Sequence, residues 1–253
     1  MKDVILIYCY GEQVRWANHL GRKKHFIQID NESILHRTVR LIKKYKPNDS
    51  TIFIVGSGDE YLINGTQLIT PVKNPGFSDA DKYLNSLNYW NQDGRTVILF
   101  GDTFWTENAI KKVLNYNKKE WFMFGRPRIS NITGSRYASL FAVVLWDHEH
   151  ETFKKHLLKI VKEYHQGKLK RTYGWELYRS ILGFPPTDKM FFNGHFKLID
   201  DFTQDFDFPE DYERFITMKN KQPFSEYKRI QKEIKTLNKK GMLKKLADKI
   251  FSD

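Results

Sequence analysis

The sequence predicts an α/β chain built on a largely parallel, helix-covered sheet, followed by a C-terminal amphipathic helix. Three observations predict it. The apolar run over 4–8 leads through Gly11 and a loop carrying Arg15 and Lys24 into an amphipathic segment, which together make one βα unit. Runs rich in branched and aromatic residues then alternate with segments of helical period through the first half. The clearest strand, over 96–100, ends in Gly101-Asp102, at the sheet edge where open α/β sheets receive ligands.

The elements follow in order. A second apolar run, 25–29, stops at Asp30-Asn31, and Ser33 caps a helix carrying Ile34, Leu35, Val39, Leu41 and Ile42. Thr51-Ile52-Phe53-Ile54-Val55 reads as a buried strand closed by Gly56-Ser57-Gly58, and 67–72 as a short one. After the turn Asn74-Pro75-Gly76, a helix opens at Ser78 with Tyr83, Leu84, Leu87 and Trp90 on one face. Thr106 caps the helix that follows the 96–100 strand. The second half is less regular. Strands are expected over 121–124 and 140–146, and helices over 150–164 and 174–182.

Composition bounds the function. The 253 residues suffice for one α/β domain with an appendage, and 40% hydrophobic content supports a substantial core. No stretch approaches the roughly 18–20 apolar residues of a membrane span, and the first run is too short for a secretion signal. A single cysteine, Cys9, leaves no disulfide framework, which fits a cytoplasmic setting. The net charge of +12 favours anionic partners such as nucleotides, nucleic acid or a membrane surface, and also suits a soluble, lysine-rich exterior.

Several residue types carry chemistry. A strand, a glycine turn and a cationic loop place N–H groups, Arg15 and Lys24 where a phosphate can sit. Asp102 is placed either to hold a divalent cation against phosphates or to cap a turn. In Asp205-Phe206-Asp207-Phe208-Pro209-Glu210-Asp211, the first two acids are two apart, so on an extended segment they share a face. They read either as cation ligands or as a charged loop before a helix that Pro209 opens; Asp200-Asp201 competes for the same role. Arg126 and Arg136 follow a strand and could meet an anionic acceptor or solvent. His195 is a candidate on the acceptor side. Tyr173 and Trp175 could stack on a substrate or fill the core. His148 and His150 read as surface histidines.

Tyr10-Gly11-Glu12-Gln13-Val14-Arg15 resembles the glycine-rich signature of nucleotidyltransferases that activate sugars and small phosphorylated alcohols. Lys23-Lys24-His25-Phe26 stands at that family's Pro-Lys segment, Gly101-Asp102 at its metal-binding strand end, and 205–211 at its "D-I-D-T-P-E-D" segment. Gln13 replaces the second glycine and Lys23 the proline. The resemblance covers roughly 3–216. It implies the nucleotide-diphospho-sugar transferase fold, a Rossmann-like mixed sheet with helices on both sides. It also implies a reaction, in which an NTP (CTP or another) joins a phosphorylated sugar or small alcohol and releases pyrophosphate with Mg²⁺ or Mn²⁺. Arg15 would neutralise the β/γ-phosphates and Lys24 the α-phosphate, while Asp102, Asp205 and Asp207 would hold the metal. Tyr8, Cys9, Tyr10 and Gly11 would line the base pocket, with Lys73 and Ser86 near base and sugar. The same fold houses GT-A glycosyltransferases, which take an NDP-sugar and use Asp-x-Asp; here Asp102-Thr103-Phe104 lacks that pattern. A non-catalytic nucleotide or nucleic-acid binding protein is the third reading.

Composition shifts near residue 222, dividing a catalytic domain, 1–222, from a basic tail, 223–253. The tail holds nine Lys+Arg and four Asp+Glu, and its apolar residues recur at helical spacing. It is expected to dock on the parent domain or on a second subunit of a homodimer, with an anionic polymer or membrane surface as the other partners.

Overall fold

Chain order in the computed structural model is β1 (Asp3–Tyr8), β2 (Gln28–Ile29), β3 (Glu32–Ser33), α1 (Ile34–Tyr45), β4 (Ser50–Val55) and β5 (Gln67–Ile69). There follow α2 (Asp79–Ser86), β6 (Arg95–Phe100), β7 (Thr103–Phe104), α3 (Glu107–Leu114), β8 (Phe122–Arg126) and β9 (Ser139–Trp146). The chain closes with α4 (His150–His165), α5 (Gly174–Ile181), β10 (Phe196–Leu198), β11 (Gln204–Asp205) and α6 (Pro209–Lys221). The structure describes residues 2–10, 13–72, 78–126, 130–186 and 194–221. Gly11, Lys73 and the tail over 223–253 lie outside the described residues.

Among the described residues the main sheet has seven strands in the order β10-β8-β9-β6-β1-β4-β5. β1 runs parallel to β4 and β6, β4 to β5, and β10 to β8; β9 alone is antiparallel to its neighbours β6 and β8. The sheet is therefore mixed and mainly parallel, as expected. β1 is buried on both faces because its residues are apolar without alternation. Ile5, Ile7 and Cys9 enter one core, with Leu35, Val39 and Ile42 of α1 and Ile110 and Val113 of α3. Leu6 and Tyr8 enter the other, with Tyr83 of α2, Phe153 and Leu157 of α4, and Leu177 of α5.

Local chemistry sets the element ends. Ser33 Oγ accepts from the His36 N–H at 3.2 Å, and Thr106 Oγ1 from the Ala109 N–H at 3.1 Å, so both expected caps form. At α2 the Ser78 N–H donates to the Asp81 carboxylate at 2.6 Å. The 25–29 run does not enter the main sheet. It ends in the two-residue hairpin β2–β3, whose turn residues Asp30 and Asn31 have φ of +55° and +63°, values that Asp and Asn tolerate better than most residues.

A third apolar cluster lies apart from the sheet faces. Trp16, Ile27, Ile29 and Ile34 from the N-terminal unit pack with Phe104, Phe206 and Phe215. It fastens the loop after β1 to the C-terminal acidic segment, although the two are almost the whole described chain apart in sequence. Among the described residues no helix is long and apolar enough to cross a membrane.

Candidate active site

The chain passes from β1 to β4 and β5 on one side, then reverses to β6 on the other side of β1. That reversal opens a crevice at the carboxyl ends of β1 and β6. A cleft of about 740 Å³ lies there, lined among others by Arg15, Lys24, Asp102, Asp205 and Asp207. A smaller cleft of about 450 Å³ adjoins it, sharing Tyr10 and Gln13 and adding Cys9, Asn18, Arg22 and Lys23.

The loop after β1 is built from short 3-10 turns, Val14–Trp16, His19–Gly21 and Lys24–Phe26. Ala17, Asn18 and Leu20 hold φ of +50°, +53° and +59°, a region disfavoured for residues other than glycine. Trp16 offsets that cost. It is fully buried in the third cluster, and its indole N–H donates to the Arg22 carbonyl at 2.8 Å. Gln13 closes the same loop, its Oε1 accepting from the Lys24 N–H at 2.7 Å. The residue that departs from the family's glycine pattern thus fixes the backbone of Lys24.

Gly101 lets β6 pass close to β1. A Cβ there would run into Cys9 Sγ and stand 3.0 Å from the Tyr8 carbonyl oxygen. Asp102 follows and is joined by the Lys24 ammonium; their side chains are 19% and 15% exposed. Strand β11 pairs antiparallel with β7, matching Asp205 with Thr103, and the Phe206 N–H donates to the Asp102 carbonyl at 3.1 Å. This pairing carries the acidic segment to the β6 end. Asp207 then lies 3.5 Å from Lys24 Nζ and 3.2 Å from the Arg15 guanidinium. Arg15 also donates to the Tyr173 hydroxyl at 3.3 Å and lies over the Phe208 ring at 5.1 Å. Asp205 Oδ1 accepts from the Ser139 hydroxyl at 2.6 Å and from Gln204 Nε2 at 3.0 Å.

The ionisation states follow from this crowding. Burial works against charge on Asp102, but the Lys24 ammonium outweighs it and holds the carboxyl below its ordinary range. Burial likewise opposes charge on Lys24, yet Asp102 and Asp207 hold its pKa above the usual lysine value. Asp205 is pushed up to about 7, first by burial and then by the charges of Asp207 and Asp102. His25, beside them and bonded to the Tyr61 hydroxyl at 2.8 Å, is pushed down to about 3 by burial and then by Lys24, so it is neutral near pH 7.

The donor set suits a hard cation. Among the described residues no group of three or more His, Cys, Asp or Glu side chains is gathered to hold a metal ion. Mg²⁺ does not require one: it binds through one or two carboxylates with phosphate oxygens and water completing the shell. Asp205, whose charge is disfavoured by Asp207 and Asp102, is a carboxylate that a cation would stabilise.

Other expected site residues fall out differently. Cys9 and Tyr10 line the clefts. Tyr8 and Ser86 are buried against each other, hydroxyl to hydroxyl at 2.5 Å, and line neither cleft. Arg126 meets neither acceptor nor solvent: it is 1% exposed and donates to the Thr203 carbonyl at 2.9 Å. His195 stacks on Trp121 at 4.4 Å, at the start of β8 and thus at the opposite sheet edge from the cleft. Asp201 accepts from the Thr203 N–H at 2.8 Å and from the Thr106 hydroxyl, a structural role beside the α3 cap. Tyr173 and Trp175 do line the cleft, joined by Lys82 and Arg171. The sequence signals neither cation, because helical and loop lysines and arginines are common on any basic surface.

No protein-family model matches the sequence, and no curated protein does. Solved structures do resemble it. CTP:phosphocholine cytidylyltransferase from Streptococcus pneumoniae is similar with a TM-score of 0.58 at 12% identity, over 85% of this chain and 97% of that one. A proposed glucose-1-phosphate thymidylyltransferase from Bacillus anthracis gives a TM-score of 0.55 at 15% identity, over 88% and 96%. A nucleoside-diphosphate-sugar pyrophosphorylase from Vibrio cholerae gives 0.53 at 11%, over 85% and 99%. The chain shares the fold of these nucleotidyltransferases along nearly their whole length.

Proposed function

We propose that the chain is a Mg²⁺-dependent nucleotidyltransferase that joins an NTP to a phosphorylated sugar or small alcohol and releases pyrophosphate. The observation that carries this reading is the grouping of Lys24, Arg15, Asp102, Asp205 and Asp207 on one cleft at the β1/β6 switch point. In the reaction a phosphate oxygen of the acceptor attacks the α-phosphorus, the α–β bridging bond breaks, and its electron pair leaves with pyrophosphate. Repulsion between the anions and their positioning make up much of the barrier, so fixed cations supply much of the catalysis. Lys24, tethered through its N–H to Gln13, places an ammonium for the charge that develops on the α-phosphate. Arg15, held by Tyr173 and Phe208, faces the leaving β/γ-phosphates. Asp102 and Asp205, with Asp207 beside them, would hold the metal. When bound, the ion supplies charge neutralisation across the phosphates.

Lys24 and Arg15 are engaged by Asp102 and Asp207. Substrate phosphates would take over the two cations, and a divalent cation would be held by the carboxylates they release. Glycosyl transfer has less support, since the second acidic position of an Asp-x-Asp begun at Asp102 is filled by Phe104, which is buried in β7. Thermal-shift measurements with the four NTPs and common NDP-sugars, with and without Mg²⁺, test the reading. Stabilisation by an NTP that grows with Mg²⁺ supports it; stabilisation by an NDP-sugar and by no NTP would replace it with glycosyl transfer.

A further inference from the structure

Behind Asp205 lies a buried polar network that the reaction above does not use. Arg126, at the end of β8, donates to the Thr203 carbonyl at 2.9 Å and to Gln204 Oε1 at 2.8 Å. The Thr133 hydroxyl donates to the same Gln204 oxygen at 2.6 Å. With two donors on Oε1, the orientation of the Gln204 amide is fixed. Its Nε2 is then committed to Asp205, donating to the backbone carbonyl at 2.6 Å and to Oδ1 at 3.0 Å. Ser139, paired with Arg126 in the β8–β9 register, donates to the same Oδ1 at 2.6 Å. Arg126, Thr133, Ser139 and Gln204 are each no more than 2% exposed.

Burying a guanidinium is costly, and apolar residues of similar volume often serve stability as well or better. Its Nη1 and Nη2 are spent on the two residues that precede Asp205 and on the Ser139 hydroxyl, at 3.4 Å, while its Nε has no hydrogen-bond partner among the described residues. The donors reaching the Asp205 carboxylate converge on Oδ1, while Oδ2 carries none of these bonds and Asp205 lines the cleft. We propose that Ser139 and Gln204, held by Arg126, are positioning residues that fix Oδ1 of Asp205 and so present Oδ2 to a divalent cation and the phosphates it accompanies. The proposal rests on the functional reading above. Outer partners of this kind tune metal sites because a ligand oxygen that is already oriented loses less freedom on binding.

Two variants separate positioning from packing. Ser139→Ala removes one donor to Oδ1. Gln204→Glu keeps the acceptor that Arg126 and Thr133 use, and replaces the donor to Asp205 with an oxygen. Mn²⁺ binding is read by electron paramagnetic resonance with an NTP present, alongside melting temperature and the Mg²⁺ dependence of pyrophosphate release. The expected result is Mn²⁺ affinity weakened roughly tenfold or more in both variants. The rate should be recovered in part by raised Mg²⁺ in Ser139→Ala, with an unchanged KM for the phosphorylated acceptor. If one variant does not fold, the other decides. Folded variants with wild-type Mn²⁺ affinity and wild-type Mg²⁺ dependence overturn the proposal. A wild type that binds no Mn²⁺ in the presence of any NTP overturns the functional reading itself, and the proposal falls with it.

Discussion

Lys24 sits where sequence, backbone and charge converge. Its N–H is tied to Gln13, its ammonium meets Asp102 and Asp207, and its charge is held by both. If it stabilises charge that appears only in the transition state, Lys24→Ala should lower kcat by about 10²–10³-fold while changing KM for the NTP several-fold at most. Steady-state kinetics decide it, and equal losses in kcat/KM and affinity with kcat intact would make Lys24 a ground-state binding residue. His25 next to it predicts a pH effect on stability. Its folded pKa of about 3 lies below the ordinary 6.5, so the unfolded chain takes up a proton first. The stability this residue contributes is complete above about pH 6.5 and drains as pH falls toward 3, by ~1.4 kcal/mol per unit in the middle of that window. Urea unfolding at pH 6 and pH 4 should show a shallower pH slope in His25→Gln than in the wild type.

Among the elements, two small features place the site. Gly101 allows the β6 end to lie against Cys9 and the Tyr8 carbonyl. Gly101→Ala should therefore cost about 1–3 kcal/mol by overpacking and shift Asp102, lowering activity as well as melting temperature. The third apolar cluster is the other. Phe215→Ala should cost about 3–5 kcal/mol, since the ring is fully buried with Phe104 and Phe206. It should also lower activity in the fraction that remains folded, because the cluster holds the 205–207 segment beside Lys24. Activity per folded molecule equal to wild type would show that β11–β7 pairing alone is enough. The elements explain what was legible. Asp102 could be found because a strong apolar strand followed by glycine marks a sheet edge, and Asp205 and Asp207 because the 205–211 segment resembles an acidic nucleotidyltransferase motif that precedes a helix opened by Pro209. The antiparallel direction of β9 was not legible, since a buried strand has the same composition either way. Arg15 meeting Tyr173 was not legible either: they are 158 residues apart and joined only by the folded sheet. Arg126 read as a charge for an anionic acceptor or for solvent because it follows an apolar run; that β8 continues through it, opposite Ser139, and leaves it buried was not legible.

For the molecule as a whole, a switch point in a mixed sheet gathers Arg15 and Lys24 from near the start of the described chain, Asp102 from its middle, and Asp205 and Asp207 from near its end. The alternation of strands and helices made the sheet legible, and the order of motifs made its ligand edge legible. The acceptor was not, because the cleft walls come from 82, 137, 171 and 173–175, which share no motif. The most direct measurement is pyrophosphate release from the four NTPs, each paired with a panel of sugar phosphates and phosphorylated small alcohols in Mg²⁺, by the wild type and by Asp102→Asn. The expected result is release by the wild type for at least one pair, dependent on both substrates. That release should be lost in Asp102→Asn at a melting temperature within a few degrees of wild type. Wild-type rates in Asp102→Asn would contradict it, as would no release from any pair by a wild type that an NDP-sugar stabilises.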